Sequence, residues 1–158
     1  MATGVLAAPP QTIWTQAVSA ILAKLTVSGA PADAYRARFE AVQQNETAFN
    51  LFPATIECTQ SAEAHDAVTI SADVVVRIYA AATDEVDLAL DPLVLWAWRQ
   101  VRADPTLGQL VSDAYPTKIE IGYLDKSSSD QVCADMTIRV EVDVDRDDPS
   151  VNKTYPAA

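Results

Sequence analysis

Apolar residues recur along the chain with two different spacings, and each change of spacing marks a change of element. After Pro9-Pro10 they fall at Ile13, Trp14, Ala17, Val18, Ile21, Leu22 and Leu25, the steps of one helix face. Proline suits a first turn, whose N–H groups lack helical partners in any case, and Ser28-Gly29 ends the run. From Pro31 to Asn50 the pattern weakens. There Tyr35-Arg36-Ala37-Arg38-Phe39 alternates like a short strand, and Gln43-Gln44-Asn45-Glu46-Thr47 reads as an exposed loop.

Period two takes over at Pro53, where Ala54, Ile56 and Cys58 alternate with Thr55, Glu57 and Thr59. A polar connection from Ser61 to Asp66 leads into a longer alternation. Val68, Ile70, Ala72, Val74, Val76 and Ile78 form its apolar set, and Thr69, Ser71, Asp73, Val75, Arg77 and Tyr79 oppose them. Strict alternation over that length marks a sheet with one buried face.

Helical spacing returns between Asp84 and Ala103, at Val86, Leu90, Leu93, Val94, Ala97 and Val101. Asp91-Pro92 marks the start of this helix or a bend near it. Asp104-Pro105-Thr106-Leu107-Gly108 reads as a stop, followed by a short helical turn through Leu110, Val111 and Ala114. A closing hairpin follows, with Ile119, Ile121 and Tyr123 in its first strand. Its solvated loop is Asp125, Lys126, Ser127, Ser128, Ser129 and Asp130. The second strand sets Val132, Ala134, Met136, Ile138, Val140, Val142 and Val144 against Cys133, Asp135, Thr137, Arg139, Glu141, Asp143 and Asp145.

This order predicts an α+β fold, an antiparallel sheet of four or more strands with two main helices packed on one face. Its bounds are an N-terminal arm over 1–10, a single domain over 11–146 and a flexible C-terminal tail over 147–158. Cys58 belongs to an apolar set and Cys133 to a polar one, which places them on opposite faces as free thiols.

Length and composition agree with one self-sufficient domain: 158 residues, 49% hydrophobic and 21% charged. Charge narrows the partners. Eleven Lys+Arg against 22 Asp+Glu leave a formal net charge of −11, with the basic residues scattered singly. Gripping DNA or an anionic membrane needs clustered cations. The uncharged stretch from Met1 to Ala23 is divided by Pro9-Pro10 and diluted by polar residues, so it does not read as a span or a secretory signal. The reading is a soluble, cytoplasmic chain.

Tests for chemistry fail one after another. The single histidine, His65, sits on a polar connection without a nucleophile signature. The four glycines are isolated, so no phosphate cradle forms. Asp143-Val144-Asp145-Arg146-Asp147 resembles the start of a calcium loop, but Asp148 replaces the required glycine and Thr154 the final glutamate. No enzyme, cofactor or metal site is expected. What remains is surface for association. Leu88 and Leu95 lie opposite the core stripe of the second helix, with Trp96 on a flank, and aromatic residues of that kind are enriched at interfaces.

The order of elements, with Phe52-Pro53-Ala54-Thr55-Ile56-Glu57, Asp91-Pro92-Leu93, Asp104-Pro105-Thr106-Leu107-Gly108 and Val140-Glu141-Val142-Asp143, resembles the tail terminator (tail completion) proteins of long-tailed bacteriophages, related to the lambda minor tail protein U. The likeness runs from the first helix to Pro149, although Gln109 stands where such relatives often carry a second glycine. It implies a non-enzymatic virion protein, assembled in the host cytoplasm and located at the head-proximal end of the tail. There a ring, a hexamer in that family, caps the tail tube, stops its polymerisation and offers a docking surface to the neck. DNA passes through the opening without specific binding, as an acidic lining would allow.

A closed ring needs two different patches on each subunit. The outer side of the second helix, Leu88, Leu95 and Trp96, is the expected first patch, and the segment from Gln43 to Phe52 the second. Arg77, Arg139 and Glu141 on the polar strand faces supply candidate charge pairs between neighbours, and the loop Asp125–Asp130 a candidate docking element. Other ring-forming neck or tail parts (adaptor, stopper, tube, sheath initiator) fit the same features, as does a monomeric acidic binding module.

Overall fold

The computed structural model describes residues 9–36, 47–62, 64–81, 85–122 and 131–156. Its elements in chain order are α1 (Ile13–Leu25), β1 (Asp33–Arg36), β2 (Ala48–Gln60), β3 (Ala67–Ala81), α2 (Val86–Ala103), β4 (Asp113–Gly122) and β5 (Gln131–Asp145). The strands make one five-stranded sheet in the order β1-β2-β3-β5-β4. Every pairing is antiparallel except β1 with β2, which is parallel, so the fold is α+β with a mostly antiparallel sheet.

The centre is the pair β3–β5, in unbroken register from Ala67↔Asp145 to Ala81↔Gln131. Its period-two pattern does what alternation predicts. Ile70, Ala72, Val74, Val76 and Ile78 are buried, as are Ala134, Met136, Ile138, Val140 and Val142 opposite them. Both helices lay their stripes on this face: Ile13, Ala17, Val18, Ile21 and Leu25 from α1, and Leu90, Leu93, Ala97 and Val101 from α2. The Thr12 side chain caps α1 by accepting from the Thr15 N–H at 3.4 Å. Pro92 lies inside α2. With no N–H, it cannot donate to the carbonyl of Leu88 one turn back, on the exposed side of the helix.

Several boundaries differ from the sequence reading, each for a tertiary reason. β2 starts at Ala48 rather than Pro53, and its buried part is Ala48 to Leu51. The predicted second contact patch from Gln43 to Phe52 therefore falls partly in the core, and residues 37–46 lie outside the described residues. The alternation at 54–59 does not end in burial. Ile56 and Cys58 stand on the helix-bearing face, opposite Ala72 and Ile70, yet are exposed. Cys133 pairs with Tyr79 on the other face, and both thiols are free.

β4 begins at Asp113, so Ala114 is a strand residue and not part of a helical turn. Between α2 and β4 the backbone instead turns left-handed over three consecutive residues, with φ of 51° at Leu107, 71° at Gly108 and 63° at Gln109. Asp104 and Thr106 hold this turn by accepting from the Gly108 N–H at 2.8 Å and the Gln109 N–H at 3.2 Å. Leu107, only 6% exposed, anchors it in the core.

Residues 147–156, expected as a loose tail, are tied down. Pro149 O accepts the first helical N–H of α1, from Ile13, at 3.1 Å. The Asn152 side chain donates to Leu110 O at 2.7 Å, and Lys153 N–H to Asp143 O at 2.8 Å. The proposed hairpin loop from Asp125 to Asp130 lies outside the described residues.

A non-glycine residue held left-handed costs about 1–2 kcal/mol, partly offset when glycine's greater freedom in the unfolded chain is counted. Gln109→Gly is expected to stabilise by roughly 0.5 kcal/mol in urea denaturation. Leu107→Gly relieves the same strain but is expected to destabilise by about 2 kcal/mol or more, through the lost core side chain.

Candidate assembly surface

Of the three residues expected together on the outer side of α2, two are exposed. Leu88 is 60% exposed and Leu95 46%. Trp96 is not part of that surface. Its ring stacks on Phe49 of β2, centroids 5.7 Å apart and 16° from parallel, and packs against the core. The tryptophan in solvent is Trp98, 41% exposed. One turn further on, Arg102 reaches Asp113 at 2.7 Å and Ala114 O at 2.9 Å. Trp98 therefore occupies the flank of α2 that looks towards β4. On that edge strand Ile119 and Ile121 are also exposed, at 39% and 47%, and stand on the helix-bearing face opposite Met136 and Ala134. Helix spacing showed that two flanks existed; it gave no sign of which one meets β2.

The other face of the sheet is polar and carries no described helix. Across β3 and β5, Arg77 donates to both carboxylate oxygens of Asp135, at 2.8 and 2.9 Å. Arg139 does the same to Asp73, at 3.1 and 3.4 Å. Arg77 also lies 5.4 Å above the Phe52 ring. Hydrogen bonding to Asp135 and Asp73 raises both guanidinium pKa values above their ordinary range. Glu141 accepts from the Tyr115 hydroxyl at 3.2 Å, and burial followed by that carboxylate raises the phenol pKa. The three charged residues read as intersubunit partners thus have partners within their own chain. A slip of four residues would bring Arg77 opposite Arg139, or Asp73 opposite Asp135, so these pairs hold the central register.

This face holds a shallow concavity of about 440 Å³ bordered by Thr55, Asp73, Lys118, Thr137 and Arg139. Of its charged groups, Arg139 bonds Asp73, and Lys118 lies 3.1 Å from the exposed Glu120 on the same strand. His65 is exposed in the turn between β2 and β3. The acids that resembled a calcium loop serve their own turn: Asp145 accepts the Asp147 N–H at 2.9 Å, and Asp148 the Ser150 N–H at 3.0 Å. Among the described residues no group of three His, Cys, Asp or Glu is placed to hold a metal ion, and no helix is long and apolar enough to cross a membrane.

No protein-family model and no curated protein matches the chain. Among solved structures it is similar to a chain of the "Virion of native gene transfer agent (GTA) particle", at 10% identity and a TM-score of 0.41, covering 90% of this chain and 99% of that one.

Trp96→Ala is expected to cost about 2–3 kcal/mol of stability, and Trp98→Ala less than about 0.5 kcal/mol, by urea denaturation. Acid should also destabilise the fold. Hydrogen bonds from Lys153, Thr106 and Ser150 respectively lower the pKa values of Asp66, Asp104 and Asp148 below 3.8. Their contribution is complete above the unfolded value of 3.8 and is lost as pH falls through the lower folded values. Melting temperature followed from pH 7 downwards is expected to lose these contributions only below about pH 4.

Proposed function

We propose that this chain is a structural virion subunit that forms a ring on the head-proximal end of a phage-like tail tube, ends tube growth and presents a docking surface to the neck. The observation that carries the reading is the exposed apolar strip of Leu88, Leu95 and Trp98 on α2, continued by Ile119 and Ile121 on β4. A chain of net charge −11 keeps itself soluble by repulsion, so large apolar side chains grouped on one side suit a surface for another protein. The arrangement of elements that resembles tail terminators supports the specific role. The reading assigns no catalysis, cofactor or metal. Its acidic surface suits a lumen through which DNA moves without being held.

The strip is tested by Leu95→Asp with Trp98→Asp, two exposed positions whose replacement leaves the core intact. The variant is expected to melt within about 2 °C of the parent and to lose capping of its tail tube in electron micrographs. A variant that still caps tubes would remove the strip from the interface. If the parent protein polymerises alone into long cylinders, it is a tube subunit instead. If it stays at 17.0 kDa both alone and with tubes, the assembly reading falls.

A further inference from the structure

The two edges of the sheet fit one another. Among the described residues, nothing pairs with the outer side of β4, and β1 covers β2 only from Ala48 to Leu51. The outer side of β2 from Phe52 to Gln60 is left open. Counting across β2, β3, β5 and β4, neighbouring strands alternate in direction throughout. Placing β4 of one copy beside β2 of the next would continue that alternation without a break.

We propose that copies of this chain join by this edge-to-edge pairing, β4 against the 53–60 half of the next copy's β2, into a closed antiparallel barrel. The helices then lie outside and the polar, helix-free face lines the opening. The proposal rests on the ring reading above and specifies its contact.

Side-chain chemistry selects the register. Ile119 and Ile56 both stand on the helix-bearing face, opposite buried Met136 and Ala72, and both are exposed. Lys118 and Glu57 both stand on the polar face, opposite Thr137 and Ser71; Lys118 lies 3.1 Å from Glu120 of its own strand, an exposed pair that leaves its ammonium open to a second carboxylate. Setting Lys118 against Glu57 of the next copy also sets Ile119 against its Ile56: opposite charges meet on one face and apolar side chains on the other. Shifting the match by two residues would oppose Glu120 and Glu57. The flank of α2 bearing Trp98 then overhangs the part of the neighbour's β2 that its own helices leave bare.

The geometry of closure agrees. Within one chain, Lys118 is level with Phe52, through Thr137 and Val75. Glu57 is level with Ser71, four residues along β3 from Val75. The match therefore staggers each copy by four residues, about 14 Å along the strands, for every four strands, about 19 Å across. That ratio corresponds to a strand tilt of about 35°, within the 35–45° that closed barrels adopt. The stagger also carries β4 past the stretch of β2 that β1 already occupies. Pro116 and Pro53, near the two ends of the paired stretch, keep the contact short.

The test is a disulfide ladder on the full chain. Ile56→Cys and Ile119→Cys are combined in a Cys58→Ser, Cys133→Ser background, oxidised at concentrations where the parent assembles or on tail tubes, and run on a denaturing gel. The expected result is a covalent ladder rising to the closed ring, absent from either single-cysteine variant. In parallel, Glu57→Lys or Lys118→Glu alone should weaken self-association roughly fivefold to tenfold, and the two together should restore it. Rings visible by electron microscopy without a ladder overturn the edge contact and leave the ring reading standing. No ladder and no assembly overturn both. Additive weakening in the double charge swap also overturns the register.

Discussion

The structure depends on one constraint: the apolar sides of β3 and β5 must be covered from a single direction. The two strands run fifteen residues each and alternate throughout, so one side of the pair is a continuous hydrophobic plane. Two helices supply the cover, and the other main elements take positions that complete it. Phe49 and Leu51 extend the plane at one end of β2, and the Phe49–Trp96 stack ties that end to α2. Leu107, just past the end of α2, adds its side chain to the core, and Pro149 receives the first N–H of α1.

Hydrophobic burial has no direction of its own, and register comes from elsewhere. A slip by two residues would keep every apolar side chain on the covered side. The paired Arg77–Asp135 and Arg139–Asp73 forks oppose such slips, since each fits only in the observed alignment. Charge on the polar face thus acts first on the fold of the chain itself. What remains on that face is a surplus of carboxylates, which gives it its acidic character.

The cover is shorter than the sheet. Two helices bury the apolar side of β3 and β5 except for the half-buried Val68, but leave the second half of β2 and the far part of β4 in water. The exposed isoleucines collect there, at Ile56, Ile119 and Ile121. A soluble monomer commonly blunts its sheet edges with prolines and charges. This chain does so with Pro53, Pro116 and Lys118, yet keeps large apolar residues between them. Edges interrupted in that way resist indiscriminate pairing.

Elements governed by local periodicity were legible in the chain itself. α1, β3, α2 and β5 follow from spacing alone, because each repeats its pattern for three turns or more, or for a dozen residues. So were the exposed Leu88 and Leu95, which lie opposite a well-defined core stripe. Other features depended on neighbours. Alternation at 54–59 looks the same whether or not a helix lies above it. The three left-handed residues at 107–109 have no hydrophobic signature, and the acids after Asp143 gain their turn-forming roles only where the chain folds back on β5. Trp96 and Trp98 occupy the two flanks of one helix, and only the position of α2 between β2 and β4 sends the first onto Phe49 and leaves the second in water. Sequence periodicity determines which residues share a face, because it is a property of backbone geometry. Which faces are covered is a matter of length and placement among elements far apart in the chain, and that was decided by tertiary packing.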